Sequence, residues 1–220
     1  MTEPRRVHRL YTLVAGIYDL RVRLFFRRRA AALEALHPRR GDTVLDLACG
    51  TGLNFPHIIE WIGPEGRIVG VDFTRAMLRQ ARRKVVSHGW DGVSLVEGDA
   101  SRLPLASDSC DAVLCAYAMI VIPDYRRAIA EAVRVLKPGG RLVLLEPKRG
   151  SALWARLATP VVALSGFGVV HLERRPWEEL PGLLEDVSRR DYLGGLLYIA
   201  SGTKRKGLKR EPRDLPITLA

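Results

Sequence analysis

Cysteine is scarce: the 220 residues hold three, Cys49, Cys110 and Cys115. Their odd number and the lack of Cys-x-x-Cys spacing argue against a disulfide framework or a zinc site, and they fit a reducing compartment. Long hydrophobic runs are missing too. The longest weakly charged stretch, Leu157 to Leu172, covers 16 residues and contains Pro160, Gly166, Gly168 and His171. A bilayer span needs about 20 mostly apolar residues, so this stretch is too short and too broken to cross. The opening MTEPRRVHRL has no apolar signal-peptide centre. Acidic residues are the minority, 24 against 35 basic ones, for a net charge of +11. Such a surface favours anionic partners, whether nucleic acid, an acidic membrane face or a phosphorylated substrate, and does not choose among them.

What is present suits one α/β domain. Hydrophobic residues make up 47% and charged residues 27%, which allows a sizeable core at this length. Residues 1–40 read as a basic helical cap, with Leu10, Leu13, Val14, Ile17, Leu20 and Leu24 forming one apolar stripe. Arg9, Arg21, Arg23, Arg27, Arg28 and Arg29 flank that stripe. From 41 to 203 the texture alternates. Thr43–Ala48, Arg67–Val71, Val93–Glu97, Asp111–Cys115 and Arg141–Glu146 read as strands. Leu53–Trp61, Arg75–Val86 and Asp124–Leu136 read as helices, the last stopped by Pro138-Gly139-Gly140. A further helix is expected over Pro176–Glu185 and a strand over Gly194–Ser201, followed by a loose basic tail, 204–220. Strands alternating with helices imply a parallel sheet covered on both faces. No internal repeat or second core is visible.

The most informative segment is Val44-Leu45-Asp46-Leu47-Ala48-Cys49-Gly50-Thr51-Gly52, a buried strand running into a glycine turn that opens a helix. Gly50 and Gly52 let backbone approach a ligand, and a helix start offers free N–H groups. NAD-binding proteins share such a turn, but two features oppose NAD here. The third glycine of the dinucleotide fingerprint falls on Phe55, and Asp46 puts a carboxylate where pyrophosphate would sit. That carboxylate suits a ligand bearing an ammonium and a sulfonium. Asp72, 20 residues after Gly52, ends the second strand and can accept from ribose hydroxyls, while Asp99 after the third strand can meet an adenine amino group. Any one of these acids alone reads as a turn residue. Three at successive strand ends do not.

VLDLACGTG, GVDFTRAML, VEGDASRLPLASDSCDAVLC and RVLKPGGRL resemble the successive motifs of class I S-adenosylmethionine (SAM)-dependent methyltransferases. The similarity runs over residues 44 to 146. It points to the branch with ubiquinone/menaquinone C-methyltransferases and small bacterial phosphatidylethanolamine N-methyltransferases. It implies a Rossmann-like seven-stranded sheet flanked by helices, its last strand (Gly194–Ser201) antiparallel, with the N-terminal amphipathic helix as an extension. It also implies SAM as cofactor, surrounded by Asp46, Gly50, Thr51, Gly52, Asn54, Asp72, Phe73, Met77, Asp99, Ala100 and Ala116. Ala48 departs from the family pattern, which has a glycine there, so a slightly reshaped loop is expected. Tyr11 and the Tyr18-Asp19 pair resemble tyrosines that fold over the methyl site, although packing in the core accounts for Tyr18 as well.

Methyl transfer from a sulfonium is an in-line displacement, so positioning dominates, and only a carbon nucleophile needs a base. Tyr18, Tyr117 and His171 are the catalytic candidates. Tyr11, Tyr18, Met119, Glu146, Lys148, His171, Arg174 and Arg175 are the candidates for substrate contact. The leading expectation is phosphatidylethanolamine N-methylation toward phosphatidylcholine. In it the basic Arg5–Arg29 segment lies on the inner, anionic membrane face, Arg174 and Arg175 hold the lipid phosphate, and Leu157–Val170 covers acyl chains. A quinone-ring C-methyltransferase is the alternative. A nucleic-acid methyltransferase is weaker, since Cys115-Ala116-Tyr117-Ala118-Met119 lacks the Asn/Asp-Pro-Pro-Tyr/Phe motif, and no nucleic-acid partner is expected. A SAM-binding protein without turnover is the non-enzymatic reading. No metal site is expected.

Overall fold

A computed structural model describes residues 28–155 and 171–207. The expected apolar stripe Leu10–Leu24, the Leu157–Val170 stretch, Tyr11, Tyr18 and most of the basic tail lie outside these residues.

Seven strands form one sheet: β1 Thr43–Leu47, β2 Arg67–Asp72, β3 Val93–Glu97, β4 Cys110–Ala116, β5 Leu136–Pro147, β6 Glu185–Tyr192 and β7 Leu197–Thr203. Their order is β3-β2-β1-β4-β5-β7-β6. The first five are mutually parallel and β7 is antiparallel to both neighbours. Among the described residues, five α-helices accompany them: α1 Arg29–Leu36, α2 Phe55–Ile62, α3 Arg75–His88, α4 Tyr125–Val135 and the short α5 Leu180–Leu183.

Alternation along each strand assigns the two layers. Val44, Ala112, Leu114, Val143 and Ile199 pack with Leu33, Phe55, Ile58 and Ala81 on the face covered by α1, α2 and α3. Leu45, Val113, Leu142, Leu144 and Tyr198 pack with Ala128, Ile129 and Leu180 on the face covered by α4 and α5. Burial on both faces is why these strands read as continuous apolar runs. Order 3-2-1-4 puts the switch of winding direction between β1 and β4, so a crevice opens above their carboxyl ends.

Three local expectations are corrected. The helix expected over Pro176–Glu185 is a 3-10 turn, Pro176–Glu178, followed by α5, and Glu185 already begins β6. That strand, EDVSRRDY, is the charged edge of the sheet; charge that protects an edge from pairing also erases the hydrophobic alternation a reader looks for. Pro138-Gly139-Gly140 does not lie between α4 and β5 but inside the latter as a bulge. The register to β4 jumps from Cys110↔Leu136 to Ala112↔Arg141, and Lys137 Nζ reaches both Asp111 oxygens at 2.8 Å. Finally, β7 starts at Leu197 rather than Gly194, because Gly194 and Gly195 hold positive φ in the preceding turn.

Phe55 explains the absence of a third loop glycine. Its ring fills the space between α2 and the strands, and a Cβ on Gly52 would stand 2.5 Å from it. Gly52 also has φ +78°. Gly52→Ala therefore combines left-handed strain with a clash, and should lower unfolding stability by about 2–4 kcal/mol in urea titrations.

Candidate active site

The crevice is a cavity of about 290 Å³, at the lower edge of the roughly 300–1,000 Å³ usual for small-molecule sites. Its floor and near wall come from the turns after β1, β2 and β3: Ala48, Gly50, Asp72, Phe73, Thr74, Met77, Gly98, Asp99, Ala100 and Ser101. The far wall is the segment after β4, from Ala116, Tyr117 and Ala118 through Val121, Ile122, Pro123 and Asp124. Of the expected cofactor residues, Gly50, Asp72, Phe73, Met77, Asp99, Ala100 and Ala116 meet here, as does the catalytic candidate Tyr117.

Asp72 organises the turns. Its Oδ2 accepts from the Gly50 N–H at 2.8 Å and its Oδ1 from the Thr74 N–H at 2.8 Å. Asp99 is shaped in the same way by Ser101, whose N–H and hydroxyl both donate to Oδ1 at 2.8 Å. Ala48 stands at φ +55°, so the position where the family carries glycine is a true left-handed one, and alanine holds it at some strain.

Asp46, Thr51, Gly52 and Asn54 do not line the cavity; they underlie it. Asp46 is fully buried on the α1–α2 face, with Asn54 Nδ2 donating to its Oδ1 at 2.7 Å. Arg29 in turn donates to Asn54 Oδ1. Asp46 Oδ2 has no hydrogen-bond partner among the described residues. Burial pushes its carboxyl up to about 7, against the opposing pull of Asn54 and Arg29. Lys84 of α3 donates to the Thr51 carbonyl at 2.9 Å, bracing the turn from behind.

The candidates for substrate contact divide. Tyr117, at φ +62°, lines the cavity with Arg29 over its ring at 5.1 Å. Met119 is wholly buried in the core. Glu146, buried on the α4 face, accepts from the N–H groups of Ala118 at 2.9 Å and Met119 at 2.8 Å, so it supports the far wall rather than facing the cavity. Burial pushes its carboxyl up to about 8, and those backbone donors pull it back. Lys148 pairs with Asp191 at 2.7 Å. Arg175 pairs with Glu178 at 3.1 Å. Arg174 donates to the Ile122 carbonyl and lies over the Tyr125 ring. His171 bonds Glu173 at 3.0 Å while its backbone N–H donates to the Ile120 carbonyl. Neither His171, Lys148, Arg174 nor Arg175 is among the described residues that line the cavity.

Arg29, Asp124 and the apolar trio Val121, Ile122 and Pro123 are site residues that sequence reasoning missed. In the sequence Arg29 reads as one more flanking arginine, whereas in the structure it stands behind the far wall against the Tyr117 ring. Asp124 was legible only as a helix start, and its Oδ1 does cap α4 through the Arg127 N–H. Among the described residues, no group of three or more metal-ligating side chains occurs.

The cavity accepts a cationic nucleoside-type ligand. Three carboxylates, Asp72, Asp99 and Asp124, line it, and among the described residues no lysine, arginine or histidine does. A Cβ on Gly50 would point into open space, leaving backbone exposed to the ligand. With this geometry in view, the model of the ubiE/COQ5 methyltransferase family matches residues 3–159. The chain belongs to that family. A demethylmenaquinone methyltransferase from Listeria monocytogenes is 33% identical over 150 residues, 66% of this chain and 63% of that protein. The chain thus spans just under two thirds of that relative's length. Among solved structures, a SAM-dependent methyltransferase from Thermotoga maritima superposes with TM-score 0.70 at 21% identity, over 90% of this chain and 99% of that one. The Haemonchus contortus phosphoethanolamine N-methyltransferase 2 superposes with TM-score 0.67 at 16% identity, over 82% of this chain and 53% of that one. Both shared architectures establish the fold, and a fold alone does not name a substrate.

Two predictions follow from the carboxylates. Removing Asp72 as Asp72→Ala frees two loop N–H groups and should weaken SAM affinity by about 1–3 kcal/mol in calorimetry. The second concerns pH. Asp46 and Glu146 are raised in the folded state from 3.8 and 4.5 to about 7 and about 8. The folded protein therefore binds protons that the unfolded chain has released, and stability falls as pH rises through this window. Glu131 and Glu173, shifted down, act below it. Ligand-free protein should lose stability between about pH 5 and pH 8, and the double variant Asp46→Asn, Glu146→Gln should flatten that slope in denaturant titrations.

Proposed function

We propose that this chain is a SAM-dependent methyltransferase that methylates a ring carbon of a quinol-type substrate. The observation that carries the proposal is the lining: apolar side chains and carboxylates, with no basic side chain among the described residues. A neutral aromatic ring fits against Val121, Ile122 and Pro123. A phosphate brought there would face Asp99 and Asp124. The arginines assigned to a lipid phosphate on sequence grounds are occupied elsewhere, Arg174 with Ile122 and Arg175 with Glu178. The name of the Listeria relative supports the same preference. The phosphatidylethanolamine reading therefore yields to its alternative. A polyanionic nucleic acid fits this lining no better.

The turns of Gly50, Asp72 and Asp99 would hold SAM, which when bound would supply an electrophilic methyl group on a cationic sulfur. The chain contributes position and polarity. Asp72 fixes the glycine turn and the start of α3 relative to each other, so the ligand meets preformed donors and acceptors. Glu146 fixes Ala118 and Met119, and through them the wall against which a ring can lie. Orientation of this kind contributes up to about 7–11 kcal/mol of barrier lowering when two reactants are held in line. The carbon nucleophile needs its phenolic proton withdrawn, and the carboxylates at the rim, Asp99 and Asp124, are the groups that can receive it. Burial pushes the Cys49 and Cys115 thiols well up, which leaves them protonated and rules them out as nucleophiles.

Incubating the full chain with methyl-labelled SAM and either a demethylated naphthoquinol or benzoquinol, or phosphatidylethanolamine vesicles, tests the proposal. Label should enter the quinol ring carbon. Label in the lipid head group instead would overturn it.

A further inference from the structure

Among the described residues, five large hydrophobic side chains are markedly exposed: Phe73, Val86, Leu153, Trp154 and Leu193. Their distribution is not even. Phe73 follows the end of β2, Leu153 and Trp154 follow the end of β5, and Leu193 sits in the turn from β6 to β7. With β7 antiparallel, all four stand at the carboxyl edge of the sheet, the edge from which the cavity opens. Only Val86, near the far end of α3, lies elsewhere.

Three of them form one built patch. Leu153, Trp154 and Leu193 are 77%, 56% and 46% exposed. Gly194 lets the Trp154 indole lie against the turn, since a Cβ there would stand 2.6 Å from the ring. The Gly194 carbonyl accepts from the Ser151 N–H, the Ser151 hydroxyl and the Ala152 N–H, each at 3.0 Å, pinning the segment after β5 onto that turn. Leu193 itself holds φ +51°, a conformation disfavoured for a bulky residue, in order to present its side chain to solvent. A leucine both strained and exposed gains nothing from folding alone.

Two arginines flank the patch. Arg28, over the Tyr192 ring at 5.0 Å, and the exposed Arg149 have no acidic partner among the described residues. The nearby Asp191 is already paired with Lys148 and Arg189. Tryptophan and leucine flanked by two arginines is the composition of a surface that settles at a lipid–water boundary, where the indole bridges apolar and wet layers and arginine meets anionic head groups.

We propose that the Leu153–Trp154–Leu193 patch docks on an anionic lipid bilayer and turns the cavity mouth toward it. The inference rests on the quinol reading for its purpose, since an apolar substrate dissolved in the bilayer would then enter without crossing water. Its test does not depend on turnover. Full-length protein is mixed with vesicles of phosphatidylglycerol and phosphatidylcholine at high salt, which screens purely electrostatic attachment. Binding should persist, and brominated acyl chains should quench Trp154 fluorescence, a loss absent in Trp154→Phe. The double variant Leu153→Ser, Leu193→Asn should bind vesicles about a hundredfold more weakly, the lower end of what withdrawing two leucines from an apolar environment gives, while retaining the wild-type melting temperature and affinity for S-adenosylhomocysteine. Asparagine is chosen because it tolerates the left-handed turn.

Absence of vesicle binding at high salt, an unquenched Trp154, or unchanged binding by the double variant would each overturn the proposal. So would a double variant that loses a dimer instead, which would make the patch a contact between copies of this chain. Should the vesicles bind as described while no quinol is labelled, it is the substrate reading that fails.

Discussion

The carboxylate of Asp72 stands at the end of β2 and accepts from the N–H of Gly50 on one side and of Thr74 on the other. Two separate turns, one after β1 and one after β2, are thereby held in one arrangement. A turn rich in glycine is expensive to order, because glycine loses more backbone freedom on folding than any other residue. Charge-assisted hydrogen bonds offset that cost, being about twice as strong as neutral ones. The cavity floor therefore exists before a ligand arrives, and everything attributed to the site depends on it.

Behind this floor sit two further carboxyl groups, on opposite faces of the sheet. Asp46 belongs to the layer of α1 and α2, Glu146 to the layer of α4. Each has one oxygen engaged and one without a partner among the described residues, and each is held toward its neutral form by burial. Such groups are costly in a core and are kept where they hold something in position. Asp46 orients Asn54 and, through it, Arg29. Glu146 holds the segment that bears Tyr117 and the apolar wall. The cavity is clasped from both layers.

Family membership and site chemistry agree on the cofactor, while substrate choice turns on where basic side chains go. A net charge of +11 invites the expectation of a phosphate-bearing substrate. In three dimensions the arginines and lysines of the described residues are spent on ion pairs, carbonyls and aromatic rings, some of them behind the cavity walls, or stand on the outer surface. Among the described residues, positive charge is kept off the cavity lining, which is acidic and apolar.

Much of this was legible in the residues themselves. Runs such as Val44–Leu47 and Val113–Cys115 announced buried parallel strands, and acids at three successive strand ends announced a cationic nucleoside ligand, because burial and charge leave local signatures. The edge strand β6 was not legible, since its charge hides the period-two pattern, nor was the Pro138–Gly140 bulge, which satisfies helix-stop statistics equally well. Tertiary structure alone decided that Asp46 lies beneath the cavity and not in it, that Glu146 supports a wall, and that His171, Arg174 and Arg175 face other partners. A side chain's residue type sets what it can bond. Which group stands within reach depends on residues tens of positions away, brought close by a sheet whose order differs from that of the chain.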